Sequence, residues 1–323
     1  MPTFGLMRCD ETLGLAAAAV LALVAMAPSA HAADTGQPPA DQPGNQAGGE
    51  ADEQEAQGLA KAVQNPIADL ISVPFQNNTT YNIGPYDRAQ NTLNIQPVLP
   101  FHLSKKILLV TRTILPIVYQ PDVTSPTGGS SGVGDLNPTF FLAPDTTGKF
   151  DFGVGPTFLI PTATQRETGT GKLGLGPAAV VLVQPDPWTL GVLASQIWSV
   201  AGPSSRASVS AFTLQYFINY NLAHAWYLTS SPIVTANFKA PGGTAWTVPF
   251  GAGAGKIFKI GKLPFNGNAQ GFYNVRNNDD TIGGWQVRLQ LALLFPVGHK
   301  QKPEEKQGSE TATTGISGRP AGG

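Results

Sequence analysis

Residues 209–222, VSAFTLQYFINYNL, change character at every second position. Phe212, Leu214, Tyr216, Ile218, Tyr220 and Leu222 fall on one face, and Ala211, Thr213, Gln215, Phe217, Asn219 and Asn221 on the other. A period of two predicts a β-strand with one apolar face and one mainly polar face. The pattern suits a soluble sandwich, whose apolar face turns inward, and equally a membrane barrel, whose apolar face turns to lipid. Turn residues divide 67–296 into roughly twelve segments, and most of them repeat the pattern. In 92–103, Leu93, Ile95, Pro97, Leu99, Phe101 and Leu103 oppose Asn94, Gln96, Val98 and His102. In 285–296, Trp285, Val287, Leu289, Leu291, Leu293 and Phe295 oppose Gln286, Arg288, Gln290 and Ala292. Segment 264–275 and the residue after it gather Asn266, Asn268, Gln270, Asn274 and Arg276 on one side. These segments exceed the five or six residues usual for soluble strands and match tilted strands crossing a bilayer. The expected fold is all-β: a transmembrane, antiparallel, up-and-down barrel of about twelve strands over 65–296.

The connections alternate in length. Stretches 77–91, 120–133, 162–172, 201–208, 239–244 and 276–284 are the longer ones of each pair, and 104–106, 145–149, 185–187, 223–225 and 259–263 the shorter. Longer external loops and short periplasmic turns are the rule for outer-membrane barrels. Aromatics gather at both ends: Phe101, Phe150, Trp188, Trp226, Phe258 and Phe295 beside short turns; Tyr119, Trp198, Phe212, Trp246, Tyr273 and Trp285 toward long loops. They are candidates for two interfacial girdles. Prolines within the segments (Pro97, Pro116, Pro138, Pro156, Pro177, Pro232, Pro249) each remove a ladder donor, so bulges or breaks are expected there.

The ends differ from this block. Residues 13–27 are an apolar run followed by Ala30-His31-Ala32, which predicts a signal peptide over 1–32, export, and loss of Cys9, the sole cysteine. Residues 33–64 are expected to be a flexible acidic segment with a short helix over 52–64, and 297–323 a disordered tail. Of 20 basic and 21 acidic residues the ends take 6 and 11, leaving 14 and 10 in the barrel block. That small excess is no nucleic-acid footprint. After residue 32 no run of 18 apolar residues occurs, so no transmembrane helix is expected.

The phrases NPIADLISVPFQNN (65–78), LNIQPVLPFHLS (93–104), RTILPIVYQP (112–121), GVGDLNPTFFLAP (132–144) and GVGPTFLIPTAT (153–164) resemble a family of bacterial outer-membrane proteins named for the MetA pathway of phenol degradation. The resemblance implies an outer-membrane barrel of the "transporter" type in a Gram-negative bacterium, with the bilayer and the barrel-insertion machinery as partners. Phe295 is followed by a 27-residue tail, whereas many barrels end on the aromatic that the insertion machinery reads.

No cofactor, metal site or catalytic residue is expected. Arg112, Arg276 and Arg288, with Gln96, Gln215, Asn219, Gln270, Asn274, Gln286 and Gln290, are candidates for lining the lumen. They would set the polarity of a passage for small solutes, hydrophobic or aromatic ones included, or knit together a closed barrel. Rival readings are a non-transporting structural or adhesion barrel acting through 77–91 and 120–133, a surface lipase built on His102 and Ser104, and a soluble sandwich. Asp279-Asp280 offers weak calcium chemistry at a loop tip, and His224 lies in a turn. Gly251–Gly255 and Gly169–Lys172 lack the spacing of phosphate loops.

Overall fold

The structure is a computed structural model describing residues 44–145, 150–240, 243–277 and 283–296. The expected signal peptide, the first part of the acidic segment, Asp279-Asp280 and the C-terminal tail lie outside these residues, as does the side chain of Arg276. The described chain begins with helix α1 (Gly44–Gln64), followed by β1 (Leu70–Ile83), β2 (Arg88–Ile95), β3 (Val98–Ser104), β4 (Ile107–Pro121), β5 (Gly129–Val133), β6 (Asn137–Pro144) and β7 (Phe150–Leu159). Then come β8 (Leu173–Val183), β9 (Trp188–Ala201), β10 (Ser210–Asn221), β11 (Trp226–Ser230), β12 (Ile233–Asn237), β13 (Ala245–Ile260), β14 (Leu263–Asn277) and β15 (Trp285–Pro296).

Three pairs of segments are halves of single strands. β2 and β3 both pair with β1 and β4; β5 and β6 both pair with β4; β11 and β12 both pair with β10 and β13. Twelve strands therefore pair antiparallel in chain order, and β1 closes on β15 from Leu70↔Pro296 to Tyr81↔Trp285. Closure leaves no edge strand. The barrel matches the fold expected from the alternation.

Proline explains where strands break. Pro97 follows the end of β2, Pro232 separates β11 from β12, and the β13–β14 register shifts between Val248 and Pro249. Pro156 and Pro177 stay in strands and face each other as a cross-strand pair with no N–H on either side. Beside them β6 and β7 are joined only at Thr139↔Thr157 and Leu142↔Val154, with a bridge at Leu136↔Ile160.

Two expectations change. The segment 77–91 is not a long loop, because β1 runs to Ile83 and β2 starts at Arg88. Its outward side chains Asn77, Thr79 and Asn91 hydrogen-bond one another at 2.8–3.2 Å. A strand wet on both faces has no hydrophobic period, so pattern reading ended it early. The helix runs over Gly44–Gln64 rather than 52–64. It begins just after Pro43 in the sequence and ends before Asn65-Pro66, where proline disfavours helical backbone at the preceding residue.

Candidate functional site: the barrel interior

The short-turn end is closed from within. On α1, Ala56, Leu59, Ala60 and Val63 recur at helical spacing, and they pack on Leu70, Ala225, Ile257, Ala292 and Leu294. Burial of Leu59 alone contributes about 2 kcal/mol. Polar contacts fix the helix: Gln64 donates to Asn221 Oδ1 at 2.8 Å, Gln184 donates to the Lys61 carbonyl at 2.9 Å, and Lys61 pairs with Asp186. Asn65 donates to Asp151 Oδ2 at 3.0 Å. Two residues on, Ile67 enters a buried cluster of Leu108, Val110, Phe141, Ala143, Ala178, Val180, Leu182, Leu193 and Phe217.

That cluster corrects the expectation of a lumen lined by polar groups throughout. Along β4, β6 and β8, and at Leu193 of β9 and Phe217 of β10, the inward positions near this end are apolar. The opposite wall, β1 with β13–β15, carries the amides. Here Gln76, Asn78, Asn266, Gln270 and Arg288 are all buried. Tyr227 donates to Asn266 Oδ1 at 2.7 Å, and Ser231 Oγ donates to Gln270 Oε1 at 2.9 Å.

Two cavities follow one another along the interior. The inner, of about 160 Å³, has Gln64, Asn65 and Pro66 at its floor and Gln76, Gln96, Arg112, Gln215, Asn219, Gln270, Gln290 and Arg288 along its walls, with Val98, Leu193 and Phe217 as apolar surface. The outer, of about 690 Å³, includes Asn78, Gln90, Gln120, Asn274 and Gln286. Gln76 and Arg288 line both, so they mark the boundary between the two. Arg288 spans that boundary: Nε donates to Asn78 Oδ1 at 2.9 Å, Nη1 donates to the Ser231 carbonyl at 2.7 Å, and the guanidinium lies 4.9 Å from the Phe272 ring centre. Arg112 donates from Nη2 to Gln96 Oε1 at 2.6 Å.

Of the lumen candidates, Gln96, Arg112, Gln215, Asn219, Gln270, Arg288 and Gln290 meet in the inner cavity, while Asn274 and Gln286 line the outer. The backbone of Arg276 pairs with Val248 in the β13–β14 ladder. Sequence reading passed over Gln76, Asn78 and Ser231, although the alternation of 70–83 puts Gln76 and Asn78 in step with Ser72. The apolar wall was also legible, in the unbroken run Ala178–Val183. Phe101, Phe150, Trp188, Trp226, Phe258 and Phe295 are exposed near the α1 end, and Tyr119, Trp198, Tyr273 and Trp285 are exposed toward the other. Phe212 and Trp246 are half-buried against each other, ring centres 6.4 Å apart.

The outer face also carries a groove at the proline pair, lined by Val154, Pro156, Pro177, Ala179, Gln196 and Phe212 among others. At the loop end, Asp135 accepts the Thr170 backbone N–H at 2.6 Å, and Arg206 donates to the carbonyls of Thr170, Arg166 and Gly169. His102 Nε2 lies 3.4 Å from Asp69 and 3.5 Å from Asp145, while Ser104 Oγ accepts the Lys106 backbone N–H at 3.2 Å. Both sit at the end that α1 closes. His224 is an exposed turn residue with φ of 57°.

No family model matches the chain, and no curated protein sequence does. Among solved structures it is similar to the COG4313 outer membrane channel from Pseudomonas putida F1, with a TM-score of 0.54 and 18% identity over 70% of this chain and 94% of that one. The likeness is one of fold: a closed, antiparallel outer-membrane-type β-barrel. More distant likenesses are a FadL homologue from Pseudomonas aeruginosa (TM-score 0.36, 11% identity, 72% and 92% covered) and the outer membrane phospholipase A of Escherichia coli (0.38, 11%, 75% and 98%).

Proposed function

We propose that this chain is an exported Gram-negative outer-membrane barrel, of the kind the MetA-pathway resemblance implies, and that it passes small solutes by diffusion. The observation that carries this reading is the pair of cavities in series, meeting at Gln76 and Arg288. Solute enters the outer cavity from the loop end, crosses at Arg288 and reaches the inner cavity. There the apolar surface of Val98, Leu193 and Phe217 admits hydrophobic or aromatic bodies beside the amides. The C-terminal turn of α1 closes the inner mouth, so release to the periplasm requires it to shift. The exposed bands of apolar side chains, including Phe75, Leu99, Val181, Val192, Ile218 and Leu291, contact lipid.

Liposome swelling and single-channel recording with the purified full chain test the passage. Solute flux is expected, and a variant lacking 44–64 should pass more; a folded barrel with no flux in either assay, α1 present or deleted, ends the proposal. A second reading, a loop-mediated structural or adhesion role, is favoured by the way Arg88 ties the 122–128 loop through the Ser125 carbonyl at 2.8 Å. Deleting 122–128 would abolish partner binding and leave flux unchanged if that reading held.

A further inference from the structure

The two cavities hold two formal charges between them, Arg112 on β4 and Arg288 on β15; the other lining side chains are amides, hydroxyls or apolar groups. Among the described residues neither guanidinium meets a carboxylate. Arg112 is held by the Gln96 amide, and Arg288 by Asn78, Ser231 and the Phe272 ring. The two cations also repel each other. Burying like charges without a counter-ion is unfavourable, and each guanidinium keeps N–H donors beyond those it uses here. A bracing role would not need the charge. Neutral amides already brace the same walls, Gln76 bonding Asn78 and Gln270 bonding Ser231 and Asn268.

We infer that Arg112 and Arg288 form an anion subsite that selects small organic monocarboxylates. A planar guanidinium fork matches the two oxygens of a carboxylate, and basic side chains lining a pore favour anions. The rest of the ligand is set by the same cavity. Val98, beside Arg112 in the ladder, and Leu193 and Phe217 add apolar surface to the same cavity, and about 160 Å³ is room for a body the size of a benzene ring. Benzoate therefore serves as the probe, with benzyl alcohol as the neutral control of equal size. The inference rests on the proposed passage only for the route by which the anion arrives.

Binding is measured by titration calorimetry on the full chain in detergent, with heat-modifiable gel migration as the check on folding. The intact protein should bind benzoate at least about tenfold tighter than benzyl alcohol. Arg112→Gln, which keeps an amide beside Gln96, should lose that preference, and Arg112→Lys should retain part of it. In planar bilayers under a KCl gradient, the reversal potential should lie on the chloride side and move toward zero in Arg112→Gln. Equal affinity for benzoate and benzyl alcohol, a folded Arg112→Gln that binds benzoate unchanged, or a cation-selective current would each overturn the inference. Benzoate binding without current would uphold the subsite while removing the passage.

Discussion

The two walls of the barrel interior do opposite things with the same outer surface. Along β1 and β13–β15 the ladders are long, with β13–β14 paired from Thr247↔Asn277 to Ile260↔Leu263, and beyond the residues that pack on α1 the inward side chains are mainly amides, with Arg288 against Phe272. Along β6–β9 the β6–β7 ladder is sparse, prolines face each other, and the inward side chains near α1 form an apolar core around Phe141. Lipid constrains only the outward positions, so strand alternation reports one face and leaves the other free. In the proposed passage the amide wall would supply hydrogen-bonding partners for a solute. The apolar wall supplies the packing for Ile67, while Leu59, Ala60 and Val63 of α1 rest on Ile257, Ala292 and Leu294 at the foot of the amide wall.

The widest separation between the walls is expected in core truncation. Phe141→Ala removes a fully buried ring from the apolar wall and should cost about 3–5 kcal/mol in urea unfolding from lipid vesicles. Gly176→Ala is next. A Cβ there would fall 1.7 Å from the Gln196 carbonyl oxygen, so β8 and β9 must separate, at about 1–3 kcal/mol. On the amide wall, Tyr227→Phe removes the donor to the buried Asn266 oxygen and should cost about 1–3 kcal/mol in the same assay, less than Phe141→Ala. Similar losses for Phe141→Ala and Tyr227→Phe would mean that the walls are not energetically distinct. Smallest is Lys259→Ala at the rim. Its pair with Glu55 is 2.8 Å long but solvent-exposed, and the change should be within about 1 kcal/mol, shrinking further in high salt.

The amide wall was legible in sequence because Gln286, Arg288 and Gln290, and Asn266, Asn268, Gln270 and Asn274, fall at alternate positions among less polar neighbours. The apolar wall was harder. In β8 both faces are apolar, Val180 and Leu182 inward against Val181 outward, so alternation vanishes although the strand is plain. The ends of the first hairpin were misplaced for a different reason: Asn77, Thr79 and Asn91 hydrogen-bond one another on the outward face, where no hydrophobic signal marks a strand. The joint position of Arg112 and Arg288 was beyond pattern reading. It depends on register across β15, β1, β3 and β4, which brings Asn78 beside Arg288 and Val98 beside Arg112.

The seam between β1 and β15 joins residues from opposite ends of the chain, from Leu70 with Pro296 to Tyr81 with Trp285. β1 is the first strand of the barrel in sequence and β15 the last, so the edge of β1 that faces β15 has no strand partner until the rest of the barrel is in place. Assembly by this route is non-local and therefore slow. The polypeptide must be kept from pairing with foreign strands until its final ribbon arrives.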